Sequence, residues 1–171
     1  MAAGADNDSL VDSPTNYGTD TGAGGEVRGN YCTWNPLAKG PGITLSNGNL
    51  DISSTTYGNN TATFFLTSGK WYWEGQGTGY VAAICGKTGI NWATSISATG
   101  SNSIGWWYLG RVYWDGGNNG GVTTYTSSDI IGTALDMDAG VVYFRKNGLL
   151  IHTITFGSGT VPDLSDGVFP C

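Results

Sequence analysis

Charged side chains are scarce in this sequence, and basic ones are the scarcest. Only 12% of the 171 residues are charged, and the formal net charge is −6. The seven Lys and Arg residues are scattered along the chain and form no cluster. Because nothing is placed to neutralise a row of phosphates, we expect no nucleic-acid partner.

Targeting signals and long hydrophobic runs are also missing. The N-terminal segment MAAGADNDSL has no basic n-region and no apolar stretch, so no signal peptide is visible. No segment is apolar over the length that a membrane-spanning helix requires, and we therefore expect no membrane insertion. A sustained apolar period of 3.6 residues is absent too, which predicts almost no helix.

Cysteine and histidine are too few to indicate a metal or cofactor site. Cys32, Cys85 and Cys171 are widely spaced, and no CxxC or Cys/His pair occurs. We expect no metal, no cofactor and three free thiols, with a Cys32–Cys171 bridge as the alternative. The single histidine, His152, lies among apolar neighbours in LLIHTITF, which predicts a packed ring without a catalytic role.

Glycine, by contrast, is abundant. It makes up 29 of the 171 residues, about 17%, whereas an average protein has about 7%. Together with many Thr, Ser, Asn, Tyr and Trp residues, this composition is typical of short strands joined by tight turns. The clearest turn is Asn147-Gly148, because both residues tolerate the positive φ angles of a two-residue type I′ hairpin. The predicted fold class is all-β, either a two-sheet sandwich or a barrel.

The amino-acid composition of the chain changes near residue 30. Residues 1–29 are polar, acidic and Gly-rich, and predict a flexible or extended arm, or one that orders on a partner. Residues 30–171 hold the strand candidates, the first of which should end at Pro36. We also predict a long polar loop at 86–103 and a hairpin tip at GGNNGG, 116–121.

The stretch SGKWYWEG places three aromatic residues in a row. Alternation puts Lys70, Tyr72 and Glu74 on one strand face and Trp71 and Trp73 on the other. The face with two charges should be wet, so we predict that both indoles point into the core and that Tyr72 is exposed. A sugar-stacking platform made by the two indoles is the alternative.

Two aspartates in LDMDAG are the strongest candidates for a pair of catalytic residues. Asp136 and Asp138 are two positions apart and would share one strand face, as a retaining glycan hydrolase needs. The E-x-D-x-x-E pattern of sandwich-fold glucanases fails, however, because Val141 replaces the third acid and Asp136 is shorter than Glu. We therefore predict that Asp138 and Gly140 shape a turn while Asp136 hydrogen-bonds nearby backbone. A calcium site is a weaker alternative.

The candidate ligand-binding residues are aromatic and amide side chains in or near loops. Trp92 lies within the polar loop at 86–103, where a large apolar ring is unexpected unless it contacts a ligand or the protein itself. Together with Tyr57, Asn91 and Trp114 it forms our predicted recognition patch, which suits a sugar or protein surface. The alternative is that Trp92 folds back to cap the sandwich.

Two blocks, LTSGKWYWEG and SDIIGTALDMDAGVVYFRKNGLLIHTITF, resemble a SPRY domain, the core of the B30.2 family. The resemblance covers residues 43–170. It implies a bent antiparallel two-sheet β-sandwich of the concanavalin-like jelly-roll type, non-enzymatic, that binds partners through loops at one edge. The predicted core-structural residues in these blocks are Trp71, Trp73, Asp138, Gly140, Asn147 and Gly148.

The front segment DSLVDSPTNYGTDTGAGGEVRGNYCTWNPL resembles the segment preceding SPRY-like modules in bacteriophage virion proteins, including tail-fibre-like chains. This implies a viral structural protein, a fibre or surface appendage, made in the host cytoplasm and carried on the extracellular virion. Its partners would be other copies of itself, other virion proteins, or a host-surface glycan or protein. A lectin-like carbohydrate-binding module not tied to assembly is the alternative, and a glycan hydrolase is the third.

SPRY chains usually continue beyond a VFP segment, here Val168-Phe169-Pro170, into at least one further strand. We therefore expect that strand to come from elsewhere in the chain or from another subunit, or one sheet edge to stay open. An open edge invites strand addition, so we expect an oligomer.

Overall fold

The computed structural model describes residues 32–56, 58–87, 102–115 and 117–171. Within these ranges the chain forms strands and turns and no helix. The described residues therefore contain no helix that could cross a membrane. The predicted arm, residues 1–29, lies outside the described residues, as does most of the predicted polar loop. The strands are β1 (Trp34–Lys39), β2 (Ile43–Ser46), β3 (Asp51–Ser54), β4 (Asn60–Ala62), β5 (Lys70–Gly75), β6 (Ala82–Gly86), β7 (Ser103–Trp107), β8 (Arg111–Trp114), β9 (Gly117–Gly121), β10 (Ile131–Asp136), β11 (Val141–Lys146), β12 (Leu149–Thr155) and β13 (Val168–Pro170).

Two antiparallel sheets make up the body of the fold. One has four strands in the order β12-β11-β10-β5, and the other has five in the order β13-β6-β7-β8-β9. The pairs β1–β4 and β2–β3 form two small additional sheets. The larger sheet continues past β13, because the backbone of Leu66 exchanges hydrogen bonds of 2.8 and 2.9 Å with Val168. The all-β sandwich predicted from the sequence is confirmed.

The core lies between the two sheets and is built around Trp106 of β7, which is fully buried. Its ring centroid lies 6.3 Å from that of Phe144 on the opposite sheet and 4.9 Å from that of Tyr125. The indole Nε1 of Trp106 donates to the carbonyl oxygen of Thr123 at 3.1 Å, so the buried indole N–H is paired.

The alternation predicted for KWYWEG is present in β5, the edge strand of the four-stranded sheet. Trp73 and Trp71 lie opposite Thr133 and Leu135, whose side chains are buried. Trp73 packs against the core, but Trp71 is 41% exposed, and its Nε1 donates to the carbonyl oxygen of Ser68. The prediction that both indoles are buried is therefore wrong for Trp71, because this residue lies near the start of the edge strand and its indole bonds back to the preceding turn.

The hairpin between β11 and β12 turns at Asn147-Gly148, with φ angles of 50° and 82°. These are the positive angles that the sequence predicted. The Asn147 side chain also ties the turn to the segment before β10. Its Oδ1 accepts a hydrogen bond from the N–H of Ile130, and its Nδ2 donates to Asp129, both at 2.9 Å.

Two predicted boundaries are wrong. GGNNGG is not a hairpin tip, because Gly117–Gly121 forms β9 and pairs with β8, while Asp115 takes the positive φ of the preceding turn. The first strand does not end at Pro36 but runs on to Lys39. Proline is tolerated there because, within the described ranges, β1 pairs with β4 alone and its register with β4 is irregular.

Cys85 and Cys171 form a disulfide, and Cys32 is a free thiol. Both the expectation of three free thiols and the alternative Cys32–Cys171 bridge are therefore wrong. The two bonded residues are 86 positions apart. They meet because β13 pairs with β6, which sets Phe169 opposite Cys85, and because the N–H of Cys171 donates to the carbonyl oxygen of Ala83.

Candidate interaction surface

The structure describes only one of the four residues predicted to bind a ligand. Tyr57, Asn91 and Trp92 lie outside the described residues. Trp114, on β8, is partly buried against the core, and its Nε1 donates to Thr160 Oγ1 at 3.1 Å. Because the other three positions are not described, the predicted patch stays a prediction.

The two aspartates of LDMDAG do not share one strand face, because β10 ends at Asp136. Asp138 lies in the following turn and accepts a hydrogen bond from the N–H of Gly69 at 2.9 Å, while Gly140 takes a φ of 63°. Asp136 lies 2.8 Å from Lys70 Nζ and accepts a backbone hydrogen bond. The lysine holds the pKa of Asp136 below its usual value, which keeps the carboxylate ionised and disfavours a general-acid role.

The single histidine lies on the core side of β12. His152 is half-buried opposite Phe144, and this burial lowers the pKa of its imidazole. That position fits the packed ring predicted from the sequence. Across the described part of the chain, no three His, Cys, Asp or Glu side chains are grouped in a way that could hold a metal ion.

An aromatic cluster that the sequence reading did not select lies on the outer face of the five-stranded sheet. Trp107 and Tyr113 project from β7 and β8, and the ring centroid of Tyr80 lies 4.7 Å from Trp107 and 5.9 Å from Tyr113. Tyr108, in the turn after β7, packs on Trp107 at 4.8 Å and also against the core, and all four rings are partly exposed. We define the β7–β8 surface as Tyr80, Trp107, Tyr108, Leu109, Arg111 and Tyr113.

The turn between β7 and β8 positions this surface. The N–H of Gly110 donates to the carbonyl oxygen of Trp107 at 2.9 Å, and its φ of 81° is that of a three-residue hairpin loop closed by glycine. A Cβ on Gly110 would lie 2.6 Å from the carbonyl oxygen of Val122, so only glycine fits. The turn leaves Leu109 58% exposed at its tip and sets Arg111 directly opposite Trp107.

A buried tyrosine fixes the segment that carries Tyr80. The Tyr125 hydroxyl lies 2.7 Å from the carbonyl oxygen of Gly79 and 2.9 Å from that of Trp106, and it accepts a hydrogen bond from the N–H of Val81. Burial raises the pKa of Tyr125, so the hydroxyl keeps its proton and can donate. This link holds the segment on both sides of Tyr80 against β7.

Comparison with solved structures identifies the architecture. The SPRY domain of human HERC1 matches with a TM-score of 0.59 and 19% identity, over 81% of this chain and 87% of that one. The chain has the SPRY β-sandwich fold. The PSpry domain of TRIM65 matches with the same TM-score and 13% identity, over 82% and 85% of the two chains.

A stonustoxin structure matches the same SPRY-like sandwich with a TM-score of 0.63 and 25% identity. The match covers 82% of this chain but spans only 25% of the stonustoxin chain. The likeness therefore concerns one part of a longer protein. No protein-family model matches the sequence, and a search of curated proteins found no match either.

Proposed function

We propose that this chain is a non-enzymatic binding module that engages a protein partner through the β7–β8 surface. The observation that carries the proposal is the cluster of Tyr80, Trp107 and Tyr113 with Arg111 beside it, presented by the β7–β8 hairpin. Trp, Tyr and Arg are the residue types that dominate protein-binding hot spots. SPRY domains are generally protein-interaction modules without catalytic activity, which supports this role.

The chemistry of the surface also indicates what the partner should offer. The rings and the exposed Leu109 present apolar area that becomes favourable when it is covered. Arg111 is exposed on the same side and can hold a carboxylate through two parallel hydrogen bonds. We therefore expect a partner with an apolar or aromatic side chain next to an acidic one.

The ionisable groups of the sandwich support a non-enzymatic role. Asp136 is paired with Lys70, and Asp129 is paired with Lys146 at 3.1 Å. Both carboxylates have lowered pKa values, so they stay ionised and serve as structural hydrogen-bond acceptors. The half-buried His152 faces the core, where it has no access to a substrate on the outer face.

The test is a quantitative binding measurement with three matched variants. Wild-type chain is immobilised and titrated with purified virion proteins and with purified host-surface proteins, and a glycan array is run in parallel. Trp107→Ala and Arg111→Ala should each weaken protein binding by at least about tenfold. Tyr72→Ala, an exposed aromatic on the other sheet, should not. Equal binding by all three variants, or binding to glycans alone, would contradict the proposal.

We further propose that the module works on a phage-like virion, as part of a fibre or surface appendage. The resemblance of the front segment to virion proteins supports this setting. The Cys85–Cys171 bond supports it as well, because disulfides persist in oxidising surroundings such as particle surfaces. Mass spectrometry of purified particles should find the chain there with this bond intact. Recovery only from the reducing host cytoplasm would argue against the virion location.

A further inference from the structure

We infer that two copies of the chain join edge to edge through β12, turning their four-stranded sheets into one continuous sheet of eight strands. β12 is an edge strand of the four-stranded sheet, whereas the β7–β8 surface belongs to the other sheet. The inference is therefore independent of the binding role proposed above.

The edges of the two sheets are protected to different degrees. β5 carries the exposed charges of Lys70 and Glu74, which discourage the addition of another strand. β9 contains a bulge, and the side-chain amide of Asn119 folds back onto two carbonyl oxygens at 2.7 and 2.9 Å. β13 is already bonded to Leu66.

β12 lacks these protections along most of its length. It is the longest strand of the described residues, and it contains no Asp, Glu, Lys, Arg, Pro or Gly. Its one irregularity is a bulge opposite Phe144 and Arg145, and the segment from His152 to Thr155 is regular. Within the part of the chain that the structure describes, β12 pairs only with β11. With respect to the described residues, its outer edge therefore has backbone N–H and C=O groups that can pair with another strand.

The regular segment of β12 is complementary to itself. In an antiparallel pairing about a two-fold axis at Ile154, Thr153 of one copy lies opposite Thr155 of the second copy. Both threonines are exposed, and cross-strand threonine pairs stabilise antiparallel strands. Ile154, which is buried, would continue the core across the junction. Such self-matching is what a two-fold symmetric interface requires.

Charge favours this strand over the other edges as the place where copies meet. Each copy has a net charge of −6, so two copies repel each other at a distance. Pairing through an uncharged strand adds no like-charge contact to that repulsion. Next to the segment, Leu149 and Leu150 are 71% and 52% exposed and enlarge the apolar surface that a second copy would cover. Because salt screens the repulsion, self-association should strengthen as ionic strength rises.

The test is sedimentation equilibrium of the full chain at low salt and at about 0.5 M salt. We expect a monomer–dimer equilibrium that strengthens with salt. The double variant Thr153→Lys/Thr155→Lys places like charges opposite each other across the axis and should weaken dimerisation by at least about tenfold. The control Thr44→Lys/Ser46→Lys adds the same charge to exposed positions of β2 and should leave dimerisation unchanged.

Hydrogen exchange provides a second readout that needs no variant. The backbone amides of Thr153 and Thr155, which face away from β11, should exchange more slowly in wild-type chain as its concentration is raised through the dimerisation range. A wild-type monomer at both salt concentrations would overturn the inference. So would a dimer that the control breaks and the β12 variant does not.

Discussion

Cys85 of β6 and Cys171 are joined by a disulfide that spans 86 positions of the sequence. A cross-link over so long a loop restricts the unfolded chain far more than the folded one. Cys85→Ser should therefore lower the free energy of unfolding by about 2–5 kcal/mol. Urea denaturation under non-reducing conditions measures this loss.

Cys32→Ser is the matched control, because Cys32 is a free thiol. Its unfolding midpoint should equal that of wild type. Adding a reductant should lower the wild-type midpoint to that of Cys85→Ser and leave the Cys85→Ser midpoint where it is. An unchanged wild-type midpoint after complete reduction would show that the bond does not stabilise the fold.

Asp129 should make the fold sensitive to acid. Its carboxylate accepts hydrogen bonds from the N–H of Thr126 at 2.8 Å and from Asn147 at 2.9 Å, and it pairs with Lys146. These contacts, the Thr126 bond first, hold the pKa of Asp129 well below its ordinary value of 3.8. Because the folded pKa is the lower one, the stabilisation is present above the unfolded pKa and is lost as the pH falls through the folded pKa.

Asp129→Asn should therefore lower the stability at neutral pH and weaken its dependence on pH in the acid range. Urea unfolding at a series of pH values from neutral to strongly acidic measures both effects. Asp166→Asn is the control, since Asp166 is exposed and lies outside this network. If both variants follow the same pH curve, the hydrogen bonds to Asp129 do not set the acid sensitivity.

Local pattern was enough to predict the fold class. Alternation in KWYWEG and the paired positive φ angles of Asn147-Gly148 depend on neighbouring residues, and both are present in the structure. The errors came from features that depend on distant partners. Gly117–Gly121 has the composition of a turn, yet it forms a strand because β8 supplies backbone partners. Trp71 is exposed because, among the described residues, no strand lies beyond β5 to cover the start of that strand.

The candidate site was harder to find for the same reason. The run Trp106-Trp107-Tyr108 shows from the sequence that neighbouring rings point to opposite faces. It does not show that Tyr80 joins Trp107 or that Arg111 lies opposite it, because those contacts depend on strand register and on the buried Tyr125 hydroxyl. No short sequence motif predicts contacts between residues that are this far apart in the sequence.

The two indoles of β5 should differ in their contribution to stability. Trp73 packs against the core, so Trp73→Ala should lower the free energy of unfolding by about 2–4 kcal/mol. Trp71 is 41% exposed, and Trp71→Ala should cost about 1 kcal/mol or less. Urea denaturation of both variants provides the comparison. Equal losses would mean that the strand edge is more tightly covered in solution than the exposure of Trp71 indicates.

Gly110, at the turn of the hairpin that carries the β7–β8 surface, should not tolerate a side chain. It has a φ of 81°, and a Cβ there would lie 2.6 Å from the carbonyl oxygen of Val122. Because that atom belongs to the backbone, the turn itself must shift, and Gly110→Ala should lower the free energy of unfolding by at least about 2 kcal/mol. Near-UV circular dichroism should change as well, because Trp107 adjoins the turn.

A Cβ on Gly120 of β9 would meet no atom within 4 Å, so Gly120→Ala is the matched control and should stay within about 0.5 kcal/mol of wild type. Similar small effects for both variants would mean that the hairpin turn tolerates another conformation, and Gly110 would then not fix the positions of Trp107 and Arg111.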